Sequence, residues 1–294
     1  MKVILGIDTQ NQYKPALQLL ARLRLPKPDL LMVNAVNPAM PFVPIGTEIT
    51  ASVQAEYSKV VQNLGLAALD RAVDEACGRN LRGKCHLTHG APADALTRVA
   101  AEQSADLVAV CGQVRSMWSP SFLGSVSRGL AIGCRSSLLV AKGTIEEGRR
   151  LRVVLATDHS LYSERWIERF LAMQPAGIAE VLVVTAYKMD ENERAVLQRN
   201  VAAIGGEVDR WIEDHLQAKS QALVDRLTAA GYTASYRVVK GETNDVIRRG
   251  MQDFQADMLV LGSQGHGFMD RIMIGSVSLH QVVAEPYPVL VVRG

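Results

Sequence analysis

The residues best suited to chemistry lie near the C-terminus, in a run from Gly262 through Gly265 to Gly275-Ser276-Val277-Ser278. Glycine permits positive φ and close backbone approach, so successive N–H groups in such a run can turn toward a single anion. Ser276 and Ser278 add hydroxyls where a helix is expected to open, at the positive end of its dipole. The chemistry is the cradling of a phosphate. No G-K-[ST] occurs, which excludes the Walker pattern, and the dinucleotide fingerprint follows the first strand of its unit, whereas these glycines follow the fourth. The run holds no lysine to neutralise a transferring phosphoryl group, and the chain has no G-x-S-x-G elbow, HExxH or C-x-x-C pair. No catalytic residue is therefore assigned, and any hydrolysis is expected to be slow. A bound Mg2+ could partly compensate, with phosphate oxygens and Asp158 as possible ligands.

These residues must be positioned by strands and helices, and the sequence supplies both twice. In the second half, short aliphatic runs at 152–156, 181–186, 234–239, 258–261 and 289–292 alternate with helical patterns, the signature of repeated βαβ units around a parallel sheet. Leu197, Val201, Val208, Ile212, Leu216, Leu223 and Leu227 recur near helical period, and Gly231 closes that segment. The first half repeats the order at 3–7, 30–36, 85–88, 107–111 and 138–141. A shift of 151 residues lays Gly90 on Gly241, Ala105-Asp106 on Ala256-Asp257 and Gly124-Ser125-Val126-Ser127 on Gly275-Ser276-Val277-Ser278. A shift of 150 lays the first-strand run ending in Asp8 on the run ending in Asp158. The expected fold is α/β: two tandem doubly wound domains, 1–147 and 148–294, each a five-stranded parallel sheet flanked by helices. Ligands in such sheets bind beyond the carboxyl ends of the strands, which directs attention to Asp158, Ala186, Gly241 and the segment after Leu261.

Composition excludes several classes. A formal charge of +2 gives no basic stripe for nucleic acid. No apolar run approaches the length of a membrane span, and Asp8 interrupts the N-terminal run before it could serve as a signal peptide, so a cytoplasmic protein is expected. Cys77, Cys85, Cys111 and Cys134 form no metal or disulfide framework and read as small buried hydrophobes. His86 and His89 stand three apart on a strand, which points the rings to opposite faces, so no metal ligands are assigned.

Gly262, Gly265, Gly275 and Ser276 reproduce the Gly-x2-Gly-x9-Gly-Ser nucleotide motif of the universal stress proteins. The chain resembles that family in its tandem form over essentially its whole length. Thr157-Asp158-x-Ser160 and the terminal run Pro288-Val289-Leu290-Val291-Val292 carry the resemblance further. It implies a Rossmann-like fold of the adenine-nucleotide alpha-hydrolase kind and an ATP site in the second half. Thr157 and Asp158 would meet the nucleoside and the Ala186 backbone would face adenine. Gly262, Gly265, Gly275, Ser276, Val277 and Ser278 would wrap ribose and phosphates. It also implies pairing through the last strands, here 138–141 with 289–292, which would make one chain an internal pseudo-dimer; a homodimer stays open. Two departures are Thr243, where the family often has proline, and Ala186, where valine is more usual.

The first half departs much further, with Cys111 at the position of Gly262 and Val114 at that of Gly265. Gly112 lies one position off and could replace only the first. Met117 and Trp118 add bulk in the same loop, so this half is expected to bind ATP weakly or not at all. Asp8 and Asp158 have a plain alternative as strand-end turn formers, and Ser276 as a helix cap. His159, beside Asp158, could approach the base or phosphates, and His266 and Arg271 could touch phosphate. Pro38, Pro41 and Pro44 punctuate a connection that could form a lid over the first half. The expected function is a stress-response ATP-binding regulator with one adenine-nucleotide site. The alternatives are a slow ATPase using that site, or a scaffold or apolar-ligand carrier using the altered first half.

Overall fold

The computed structural model describes residues 1–37, 51–112, 124–143, 148–202, 207–264 and 274–294. Two compact units emerge: Met1–Glu147 with Val282–Pro288, and Gly148–Gln281 with Val289–Gly294. The first contains β1 (Lys2–Ile7), α1 (Lys14–Leu23), β2 (Asp29–Val36), α2 (Ala51–Cys77), β3 (Gly83–His89), α3 (Pro92–Glu102), β4 (Leu107–Cys111), α4 (Ser125–Gly133) and β5 (Ser137–Ala141). The second contains β6 (Leu151–Ala156), α5 (Leu161–Met173), β7 (Ile178–Tyr187), α6 (Glu191–Ala202), α7 (Val208–Ala229), β8 (Thr233–Lys240), α8 (Thr243–Asp253), β9 (Met258–Gly262), most of α9 (Ser276–Ala284) and β10 (Val289–Val292). The helical segment expected between the second and third strands of this half is thus two helices. Gly231 follows the second of them at φ +92°, a conformation that costs any side-chain-bearing residue strain.

The central strands are wholly buried runs such as MLVLG in β9 and SLLVA in β5, apolar on both faces because helices cover both. The strand order within the units is β3-β2-β1-β4-β5 and β10-β9-β6-β7-β8, with parallel pairing between neighbours. These are not two separate five-stranded sheets, as the sequence suggested, but parts of one continuous ten-stranded sheet. The physical reason is the edge: β5 and β10 are apolar and buried throughout, and ending a sheet on such a strand would leave a row of backbone donors and acceptors unpaired.

The two units repeat in detail. Helix α1 buries Ala16, Leu17, Leu20 and Leu23, and α5 buries Trp166, Ile167, Phe170 and Met173 at positions 150 residues later. Both helices end on a left-handed residue, Arg24 and Gln174. The largest difference in this packed stripe is Trp166 in the place of Ala16.

Directly after β5, Lys142 is 2% exposed and its ammonium donates to the backbone carbonyl of Glu285 at 2.7 Å. Burial lowers it to about 8, against a smaller opposing pull from Glu285. Between that value and the ordinary 10.5, the unfolded chain keeps a proton that the folded chain has released. Raising the pH therefore favours the folded state across this window, by an amount on the order of 3 kcal/mol in total. Chemical denaturation at pH 8 and pH 10 is expected to show wild type gaining stability relative to Lys142→Met. Parallel pH dependence of the two proteins would contradict it.

Candidate nucleotide site

Strand β6 lies between β7 and β9, so the chain leaves it to one side and returns on the other. Such a switch in direction opens a crevice at the carboxyl ends of the strands, where open α/β sheets bind ligands. Two of the expected site segments, after β6 and after β9, flank it.

The segment after β6 is held by its own side chains. The Thr157 N–H donates to the Val184 carbonyl at 3.0 Å, continuing the sheet by one residue. One carboxylate oxygen of Asp158 accepts from the Ser160 N–H at 3.1 Å and from the Ser163 hydroxyl at 2.7 Å. Ser160 in turn caps α5, its hydroxyl oxygen accepting from the Ser163 N–H at 3.2 Å. Asp158 is therefore a turn former, and its carboxylate is half-buried.

His159, which by sequence could approach a ligand, turns its ring into the interior. It takes a left-handed φ of +53° and is 7% exposed. Its Nε2 lies 2.9 Å from the Ser220 hydroxyl of α7 and 3.0 Å from the Thr185 hydroxyl of β7. Burial, then the nearby Lys219 ammonium, hold the imidazole below its ordinary value against the opposing pull of Asp158 and Glu164, which favours the neutral ring. Ala186 follows Thr185, half-buried and paired with Val239 near the end of β7.

Across the crevice, Gly262 ends β9. A Cβ built there would sit 2.2 Å from Cδ1 and 2.3 Å from Nε1 of Trp166. The first glycine of the motif is thus required by an indole ring packed against it. Gly275 differs: among the described residues a Cβ would meet only the Ser263 carbonyl oxygen, at an ordinary 3.5 Å. Its N–H donates to that same carbonyl at 2.6 Å, which draws the two ends of the loop together. Its own carbonyl accepts from the Leu279 N–H at 2.9 Å and so begins α9. The N–H groups of Ser276, Val277 and Ser278 then belong to the first turn, where a helix has no acceptors of its own for them. Ser276 is exposed and Val277 half-buried. Ser278 is 6% exposed, and its hydroxyl donates to the Gly262 carbonyl at 2.6 Å. That donation ties α9 to β9. Gly265, His266 and Arg271 lie outside the described residues.

The first unit has the same crevice between β1 and β4 with different contents. Asp8 accepts from the N–H groups of Gln10 and Gln12 at 2.7 and 3.1 Å. Ser127 lies 3.5 Å from the Cys111 carbonyl, the counterpart of the Ser278 tie. The Cys111 thiol is pushed up to about 11 by burial and by Asp8, so it stays protonated. The Gly112 N–H is taken by the Ala141 carbonyl at 2.7 Å, as the Ser263 N–H is taken by Val292. Val114, Met117, Trp118, Pro38, Pro41 and Pro44 lie outside the described residues.

The pairing of Gly262 with Trp166 escaped the sequence reading, although the substitution of tryptophan for the equivalent Ala16 was visible under the 150-residue shift. The cysteines need correction: Cys77 and Cys85 are exposed, Cys111 is intermediate and Cys134 is buried. Cys77 falls at the C-terminal end of α2 and Cys85 on β3, at the edge of its unit's run of strands, where less cover is available. His89 approaches Gln62, with Nε2 3.3 Å from its Nε2. No group of three or more His, Cys, Asp or Glu side chains that could hold a metal occurs among the described residues.

The model of the Universal stress protein family matches residues 1–142 and again 150–293. A universal stress protein of Synechocystis is 22% identical over 151 residues, covering 48% of this chain and 97% of its own. A crystal structure of a universal stress protein from Archaeoglobus fulgidus superposes with a TM-score of 0.69 at 16% identity, covering 99% of this chain and 96% of that one. A family member from Arabidopsis thaliana, solved with AMP bound, matches 48% of this chain and 90% of its own at 12% identity and a TM-score of 0.33. The doubled match spans nearly every residue, so the chain belongs to the universal stress protein family and carries one family domain in each half.

Proposed function

We propose that the second half binds one adenine nucleotide, ATP, and that the chain acts in the cytoplasm as a nucleotide-responsive regulator in a stress response. The observation that carries this reading is the β6/β9 crevice. It has the Asp158 carboxylate on one wall and, on the other, the glycine-capped start of α9 with an exposed Ser276. A carboxylate accepts hydroxyl hydrogens and suits a ribose; a helix start with N–H groups and a dipole suits phosphates. In this reading Thr157 and Asp158 meet the ribose, the Ala186 backbone borders the base, and Gly265, Gly275, Ser276 and Val277 surround the phosphates. Gly262 and Ser278 hold the strand and helix that carry them. The chain supplies no convergent donor set for Mg2+ among the described residues, so a metal would be carried by the phosphate oxygens themselves.

ATP binding favours whichever conformation or assembly holds it more tightly, which is how such a site regulates without chemistry. The tandem chain is proposed to act as an internal pseudo-dimer. Nucleotide released from the purified intact protein and identified by mass spectrometry is expected to be ATP. A different co-purified ligand that added ATP fails to displace would overturn the reading.

A further inference from the structure

The second unit contains a buried polar cluster that the nucleotide reading does not use. The ring of His159, the hydroxyl of Thr185 (1% exposed) and the hydroxyl of Ser220 (0% exposed) meet with Nε2–Oγ distances of 2.9 and 3.0 Å and a hydroxyl–hydroxyl distance of 3.4 Å. Polar groups this deep persist because they satisfy one another, and removing one leaves the others unpaired. Their placement is informative. His159 directly follows Asp158, Thr185 directly precedes Ala186, and Ser220 lies on α7, which carries none of the site residues. One cluster therefore joins the ends of two strands that border the crevice to a helix outside it.

The backbone shows what the cluster holds. A left-handed φ is unfavourable for a residue with a Cβ, and His159 adopts it while its N–H donates to the Thr157 hydroxyl at 3.1 Å. Lys219, one residue before Ser220, also reaches the His159 carbonyl at 3.5 Å. Turning the ring inward fixes the chain direction at the next residue toward the N-terminus, which is Asp158. The first unit lacks the device. Its counterparts, by strand register and helix burial, are an exposed Thr9, Asn34 and Leu69, and the Asn34 amide bonds the Ile7 carbonyl instead.

We infer that His159 is a positioning residue: its bonds to Ser220 and Thr185 set the loop that carries Asp158, so that α7 controls how tightly the crevice holds a nucleotide. The inference rests on the proposed nucleotide site for its consequence and on the cluster geometry for its cause, and the two are tested apart. On the intact chain, ATP affinity is measured for wild type, Ser220→Ala, Asp158→Ala and the double variant, with amide hydrogen exchange recorded for each. Ser220→Ala is expected to weaken ATP about tenfold, near 1.4 kcal/mol, and to cost less than twofold once Asp158 is already alanine, because it acts through that carboxylate. It is also expected to raise exchange at residues 157–163 while leaving β9 unchanged. His159→Gln, which keeps a nitrogen at the reach of Nε2, is expected to retain affinity within threefold, whereas His159→Leu behaves like Ser220→Ala. Equal losses in both Asp158 backgrounds, or unchanged exchange at 157–163, would overturn the inference. Wild type that binds no ATP, with exchange at 157–163 still raised by Ser220→Ala, would refute the nucleotide reading and leave the clamp standing.

Discussion

Replacing Gly262 with alanine is expected to destabilise the second unit by about 3 kcal/mol, the upper range for forcing a methyl into a packed interior. The new carbon would overlap the Trp166 indole at 2.2 Å, and that ring, 2% exposed, has little space into which it can withdraw. Trp166→Ala alone is expected to cost about 3–5 kcal/mol through the cavity it leaves. At the equivalent positions the first unit has the opposite size pattern, Cys111 for the glycine and Ala16 for the tryptophan. The double variant Gly262→Cys with Trp166→Ala is therefore expected to recover at least about 1 kcal/mol relative to the sum of the Gly262→Cys and Trp166→Ala single changes measured beside it. Denaturant midpoints of the four proteins decide it. Strict additivity would mean that Gly262 is glycine for some reason other than the ring.

Gly275 belongs to the same motif and is expected to behave in the opposite way. Aspartate at this position accepts from first-turn N–H groups and favours the positive helix end, so Gly275→Asp is expected to keep or slightly raise thermal stability, by up to about 1 kcal/mol. The same carboxylate occupies the anion position and repels phosphate. ATP affinity is expected to fall at least a hundredfold, about 2.7 kcal/mol. Gly124→Asp, the equivalent change at the start of α4, is expected to leave ATP affinity within twofold. Calorimetric titration of the two variants beside their melting curves separates binding from folding. A Gly275→Asp protein that still binds ATP tightly would remove α9 from the site.

The two glycines show how far the sequence could be read. Their spacing pointed to a nucleotide loop and placed it after the fourth strand, and β9 and α9 stand where that reading put them. The spacing could not show that Gly262 answers to Trp166, because the partner lies far away in sequence on α5 and its contact exists only once β9 and α5 pack together. Buried strands such as β4 and β9 were legible as short apolar runs because helices cover both their faces. The single ten-stranded sheet was not legible from those runs. An apolar strand reads identically whether its edge is free or paired, since pairing engages the backbone and not the side-chain pattern. The setting of His159 was not legible for a different reason: the direction of its ring follows from a left-handed φ and from two hydroxyls on β7 and α7, neither of which leaves a local signal.

The difference between the halves is likewise sharper in the structure than in the motif. In the first half Cys111 replaces the first glycine, and Ala16 stands where the second half has Trp166. What separates the halves is the set of groups around each aspartate: Asp158 sits in a loop clamped by buried hydroxyls, and Asp8 in a turn of exposed residues. This arrangement predicts one nucleotide per chain, held in the second half. The most direct measurement is the stoichiometry of ATP on the intact chain by isothermal titration calorimetry, repeated with Asp8→Ala and with Gly275→Asp. The expected result is one ATP per chain, unchanged by Asp8→Ala and abolished by Gly275→Asp; two ATP per chain, or one that survives Gly275→Asp and disappears with Asp8→Ala, would contradict it.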